Sequence, residues 1–186
     1  AGIGASFAPE GATIDEKARI SDTNIGCTTA TMNRPGFFHG TATHEQLLKW
    51  MPDIAAGKKI LCVCITEPDA GTDVKAMRAT ARREGDEYVL NGNKIFITLG
   101  QQADLALVAA RTGPAGSGAK GISLFMIETA KTPGFKVNKV LDKIGQNALN
   151  TSEIFMEDAR VPAENLIGGV EGKGFFQLMD VFQRER

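Results

Sequence analysis

Two short segments carry residue types and spacings from which a site for a planar, polar-edged ring could be built. They are Ile65-Thr66-Glu67-Pro68-Asp69-Ala70-Gly71-Thr72-Asp73 and Phe96-Ile97-Thr98. Strand side chains alternate faces, so a threonine beside Ile65 or Ile97 can turn its hydroxyl and amide toward a ligand while its neighbours enter a core. Pro68 then removes a ladder donor and Gly71 permits positive φ, which takes the chain out of the sheet. Thr72 and Asp73 follow in an open turn whose amides and hydroxyl can hold phosphate or ribose oxygens. A ligand-free surface turn is the plain alternative for either segment alone; the pair together points to a cofactor pocket.

The other reactive residue types lead to structural readings. Glu67, Asp69 and Asp73 alternate beside Pro and Gly, a pattern that organises a turn by accepting from backbone amides rather than an acid–base pair. Cys62 and Cys64 share a strand face and, with only His39 and His44 nearby, lack a zinc spacing, so they are expected as core cysteines and no metal is expected. His44-Glu45 lacks the second histidine of a metalloprotease helix. Lys75, Arg78, Arg82 and Arg83 form a basic run read as a solvated face, with contact to a ligand phosphate or an acidic partner as the alternative.

Composition bounds the classes further. In 186 residues, Lys and Arg number 21 against 22 Asp and Glu, a net charge of -1, which leaves no bulk field for nucleic acid or an anionic membrane. The hydrophobic share is 42%, and no apolar run approaches the roughly 20 residues of a membrane helix. The opening residues lack the basic head and apolar centre of a secretory signal. Three cysteines give no disulfide framework and fit a reducing compartment. The expected location is therefore cytoplasmic, or the mitochondrial matrix in a eukaryote.

These residues must be positioned by a recognisable order of elements. Residues 1–40 have little periodicity and read as loops with one short helix at 14–20. Thr43-x-x-Gln46 is a capping-box pattern ahead of Leu47, Leu48, Trp50 and Met51, with Gly57 where helix must end. Short β-rich runs follow at 60–66, 87–90, 94–98, 105–111, 122–128, 135–140 and 153–156. Asn91-Gly92 predicts a tight hairpin between the second and third, and 113–118 predicts a flexible connection. Phe175, Leu178, Met179 and Phe182 then return at helical spacing. The expected fold is mainly β, an antiparallel sandwich or barrel with flanking α-helical segments.

The two opening segments, with Gly134-Phe135, Val161-Pro162, Asn165-Leu166-Ile167-Gly168, Gly172-Lys173-Gly174-Phe175 and Glu185-Arg186 in order, resemble the middle domain of the flavin-dependent acyl-CoA dehydrogenases. There a Thr-Glu-Pro-x-Ala-Gly-Ser-Asp turn and an aromatic-Ile-Thr strand flank the flavin. Glu45-Gln46 and Trp50-Met51-Pro52 resemble the end of that family's amino-terminal helical domain. The resemblance implies three parts: 1–58 from the amino-terminal domain, 59–168 as the central β-domain and 169–186 opening the carboxy-terminal bundle, in a chain that is a fragment of the enzyme. It implies FAD held by Val63, Ile65, Thr66, Gly71, Thr72, Phe96, Ile97 and Thr98, with Thr98 beside the ring's reactive nitrogen. It implies acyl-CoA met by Thr72, Leu149, Phe182, Gln183 and Arg186.

The implied reaction is α,β-dehydrogenation of an acyl-CoA to a trans-2-enoyl-CoA. The family's catalytic glutamate lies in its carboxy-terminal domain, so no catalytic residue is expected within this sequence. Electrons would pass to an electron-transfer flavoprotein, and the intact enzyme would be a homotetramer or homodimer. Two positions depart from the pattern: Leu99 stands where asparagine is common, and Leu149 where the family often has a CoA-contacting serine. A flavin oxidase passing electrons to oxygen, and a non-catalytic β-sandwich binding module, remain as alternatives.

Overall fold

The computed structural model describes residues 40–145 and 149–184. The helix expected at 14–20, His39, Glu185 and Arg186 lie outside the described residues.

Helix α1 (His44–Ala55) begins where the capping box places it. The Thr43 hydroxyl accepts from the Gln46 amide at 3.2 Å, and the Gln46 side chain returns a bond to the Thr43 amide at 3.1 Å. Gly57, at φ 68, ends the helical path. Its buried stripe is Gln46, Trp50 and Ile54, at the spacing that puts residues on one face.

Seven strands form one sheet: β1 (Leu61–Cys64), β2 (Thr80–Glu84), β3 (Glu87–Thr98), β4 (Leu105–Arg111), β5 (Ile122–Glu128), β6 (Phe135–Val140) and β7 (Thr151–Pro162). Strand β4 is the hub. It pairs with β5 antiparallel along its length and with β1 in parallel, Leu61 opposite Leu105 through Cys64 opposite Val108. Strand β2 touches β4 at Thr80–Arg111 and leads through antiparallel pairings to β3, β7 and β6. The expected antiparallel order therefore holds for most pairings, with β4 joined in parallel by β1 and β2.

Strict alternation in β1, β4 and β5 builds two cores. Cys62, Cys64, Ala106, Val108, Ala110, Phe125 and Ile127 face inward against Tyr88, Leu90, Ile154, Met156 and Val161 from β3 and β7, so the sheet curls on itself. The opposite face, with Leu61, Leu105, Leu107, Ala109, Ile122, Leu124 and Met126, is covered by Trp50 and Ile54 of α1 and by Leu178 and Val181 of α2 (Gly174–Arg184). Among the described residues, no helix is long and apolar enough to cross a membrane.

The hairpin expected at Asn91-Gly92 is not formed. β3 runs through that dipeptide as one strand, with a register shift against β7 between Leu90 and Gly92. Asn91 bonds Asp158 twice across the pair, donating from Nδ2 at 3.1 Å and accepting the Asp158 amide at 2.9 Å. Gly92 has φ 141, and a Cβ there would lie 2.7 Å from the Ala79 Cα. Positive φ and close approach are thus used for a bulge. The hairpin lies one turn earlier, between β2 and β3, where Gly85 has φ 60 and Glu84 opposes Glu87. The run at 153–156 lies in the first half of the longer β7.

Candidate functional site

The Ile65–Asp73 segment leaves β1 and is closed into a turn by reciprocal bonds, Glu67 N to Ala70 O at 3.0 Å and Ala70 N to Glu67 O at 3.2 Å. The carboxylates organise this turn. Glu67 Oε2 accepts from Arg78 N at 2.6 Å and Oε1 from Ala79 N at 3.1 Å, while Asp73 Oδ1 accepts from Lys75 N at 3.1 Å. Asp69 meets Arg78 in an exposed ion pair at 3.1 Å. Gly71 and Thr72 are exposed at the turn's outer end.

Strand β3 brings the second segment alongside the first. Ile95 N donates to Thr66 O at 2.9 Å, and the register against β7 shifts between Lys94 and Ile97. Within that bulge Phe96 takes φ 59 and stands 63% exposed, whereas Ile97 is buried in the inner core. A bulky residue at positive φ is strained. Thr98 is half-buried opposite Thr151, and Leu99, at φ 63, is buried and donates its amide to Asn150 O at 3.0 Å. Leu99 thus adopts the left-handed conformation that asparagine tolerates better than leucine.

Sequence reading missed a buried ion pair that ties the two segments together. Lys94, fully buried, donates from Nζ to Glu67 Oε1 at 2.8 Å and to the Ile65 carbonyl at 3.1 Å. Burial pushes its ammonium below the usual 10.5, and the Glu67 charge and hydrogen bond oppose that fall. Arg111 was missed as well. Its guanidinium donates to Lys75 O at 2.7 Å, Met77 O at 3.3 Å, Ser117 Oγ at 3.0 Å and Gly118 O at 3.2 Å. That set pins the 113–118 connection, expected to be flexible, against the turn after Asp73.

The named residues fall into groups. Val63, Ile65 and Phe182 pack, partly buried, against the outer core. Thr66, Phe96 and Thr98 lie along the junction of the β1 exit with β3. Leu149 is buried ahead of β7, belongs to neither core, and offers its carbonyl to Lys143 Nζ. Gln183 is exposed on α2. Cys62 and Cys64 are buried with their sulfurs 3.7 Å apart, as core residues. Lys75, Arg78, Arg82 and Arg83 are exposed.

The junction suits a flat heteroaromatic ring. Among the described residues, neither the amide nor the hydroxyl of the half-buried Thr66 has a hydrogen-bond partner. Beside it an aromatic ring is held outward in a strained backbone. Donors without protein partners next to an exposed ring are what a bound group with polar edges and apolar faces would use.

Comparison with known proteins bears on the family and the fold. Residues 62–159 match the family described as acyl-CoA dehydrogenase, middle domain. The chain is 39% identical over 186 residues to the mitochondrial long-chain specific acyl-CoA dehydrogenase of Mus musculus, covering 100% of this chain and 43% of that protein. It is 48% identical over 137 residues to the short-chain specific acyl-CoA dehydrogenase of Clostridium acetobutylicum, covering 74% of this chain and 35% of that protein. The solved acyl-CoA dehydrogenase from Geobacillus kaustophilus superposes with a TM-score of 0.88 at 39% identity, over 100% of this chain and 48% of that one. The chain therefore spans less than half the length of these relatives.

Proposed function

Because this chain belongs to the acyl-CoA dehydrogenase family, we propose that it supplies the flavin-flanking middle domain of an FAD-dependent enzyme converting an acyl-CoA thioester to a trans-2-enoyl-CoA. The observation that carries this reading is the junction itself: Thr66 with partnerless donors among the described residues, beside the outward, strained Phe96. FAD, when bound, supplies the acceptor for the hydride leaving the β-carbon. The Thr66 amide and hydroxyl would hold the polar edge of the ring, while Phe96 covers it and Thr98 orients its hydroxyl beside it; the Ile97 side chain is buried in the inner core, so Ile97 would meet the ring only through its backbone. Val63 and Ile65, packed against the outer core, would exclude water from that side. Gly71 keeps the turn free of a side chain near the cofactor.

For the acyl-CoA, the exposed Thr72 hydroxyl, Phe182 and Gln183 are the proposed contacts. Leu149 can contribute shape but no side-chain hydrogen bond. We assign 1–58 and 169–186 to the flanking helical domains and 59–168 to the β-domain. The base that removes the α-proton is assigned to the carboxy-terminal helices, since Glu67 is committed to Lys94 and two amides. An electron-transfer flavoprotein as acceptor, a homodimeric or homotetrameric enzyme and a reducing compartment complete the reading.

The first test is the visible spectrum of the full-length protein purified without added flavin. Two flavin bands, bleached anaerobically by an acyl-CoA, are expected. A full-length protein that neither carries nor takes up FAD overturns the reading, and rapid peroxide release on reoxidation in air would replace the dehydrogenase with an oxidase.

A further inference from the structure

The buried Lys94–Glu67 pair does more than join two segments. In a planar trans peptide the carbonyl and the N–H point in opposite directions. Lys94 Nζ holds the Ile65 carbonyl toward the interior at 3.1 Å, so the N–H of the same peptide unit, that of Thr66, is directed away from it. On the following unit, the Thr66 carbonyl is fixed by Ile95 N at 2.9 Å. Two carbonyls are thus anchored to β3 on either side of one N–H that has no partner among the described residues. Glu67 keeps the ammonium in place and is itself held by the amides of Arg78 and Ala79.

From this geometry we infer that Lys94, backed by Glu67, is a positioning residue that aims the Thr66 amide at the polar edge of the bound flavin. The inference rests on the flavin reading above. A buried ion pair is at best an even exchange for stability against well-packed apolar side chains. What the pair supplies beyond stability is a fixed donor direction, and a donor held in place before binding needs no reorganisation when its acceptor arrives.

The test uses the full-length protein stripped of flavin, with Lys94→Met and Lys94→Met/Glu67→Gln compared against wild type. The single variant leaves a carboxylate buried without its cation and is destabilised. The double variant removes both charges at nearly constant shape; the glutamine oxygen still accepts from one of the two amides and the other bond is lost, but no unpaired charge is left buried, so it carries the test where the single does not. Two quantities are read: the FAD dissociation constant, and hydrogen exchange at the Thr66 amide with and without FAD. In wild type, FAD protects the Thr66 amide. In the variants the dissociation constant rises roughly tenfold, as loss of a well-aligned hydrogen bond predicts, and FAD no longer protects Thr66. A purely structural pair would lower the urea midpoint but leave Thr66 protection and FAD affinity at wild-type values, and that result overturns the inference alone. A wild type that binds no FAD overturns the flavin reading and this inference with it.

Discussion

Phe96 is where conformational strain and exposure coincide, and replacing it with glycine separates stability from binding. At φ 59 the left-handed backbone costs an L-residue about 1–2 kcal/mol that glycine avoids. Against this gain stands the larger unfolded-state entropy of glycine, roughly 0.5–1 kcal/mol. The ring is 63% exposed, so only about a third of the ~1.5–3 kcal/mol of a fully buried phenylalanine is lost. These terms cancel to within about 1 kcal/mol, so the urea midpoint of flavin-free Phe96→Gly should stay near wild type. Phe125→Ala, at a ring that is 0% exposed, should cost about 3–5 kcal/mol in the same assay. Flavin affinity should respond in the opposite sense. Stacking of an aromatic side chain on a heteroaromatic ring is worth about 1–3 kcal/mol by truncation, so the FAD dissociation constant of Phe96→Gly should rise roughly tenfold or more. Fluorescence titration of the stripped protein with FAD measures it. A Phe96→Gly protein as destabilised as Phe125→Ala, or one binding FAD as wild type does, would refute the reasoning.

Three further outcomes are expected. Gln46→Ala removes bonds from Nε2 to Glu164 O and Leu166 O, both at 2.8 Å, and those that Oε1 accepts from Gly168 N and from Thr43 N, both at 3.1 Å, while the Thr43 hydroxyl keeps the backbone amide of residue 46. At about 1 kcal/mol each it should destabilise by roughly 2–4 kcal/mol in urea, and a loss near zero would mean α1 is not docked through this residue. Tyr88 donates to Glu171 at 2.5 Å, and burial first, then that bond, pushes its phenol from 10.0 up to about 12. A raised acid pKa gives stability present in full below pH 10 and lost as pH rises toward about 12, so the alkaline fall in stability should be reduced in Tyr88→Phe. Identical alkaline unfolding of the two proteins would exclude the coupling. Thr98→Val should slow flavin reduction by acyl-CoA in stopped flow while shifting folding stability by less than about 1 kcal/mol; an unchanged reduction rate removes Thr98 from the site.

The features legible in the sequence are those decided locally. The Thr43–Gln46 box, the apolar stripe of α2 and the β-rich runs of β4 and β5 involve neighbours within a few residues, and each stands where its pattern places it. Asn91-Gly92 was misread because the same positive-φ tolerance serves a turn or a bulge, and the choice is made by Asp158, 67 residues away. β2 was hidden in a basic run because Ala81 is its one buried side chain, the other four being exposed or half-buried. Lys94 read as an ordinary strand lysine because its partner lies 27 residues back and is itself disguised as a turn carboxylate. For the site, residue type nominated Thr66 and Thr98, but their meeting depends on the Ile95–Thr66 bond and the buried pair, neither of which leaves a periodic trace.

The end of β3 carries two left-handed residues, and they differ in what offsets the strain. Leu99 is 0% exposed, and burial of its side chain is worth more than the backbone distortion costs. The Phe96 ring has no such cover, so its contacts within the protein offset the strain only in part. A regular strand through 94–98 would place Lys94, Phe96 and Thr98 on one face; the bulge breaks that alternation, keeping Lys94 inside with Glu67 while the aromatic ring swings outward. One local irregularity therefore serves two needs that plain pairing would set against each other, an interior ammonium and an exterior ring on the same strand. A flat cofactor lying on Phe96 would supply the missing cover, which is why the strain at this position, rather than the strain at Leu99, supports the proposed site.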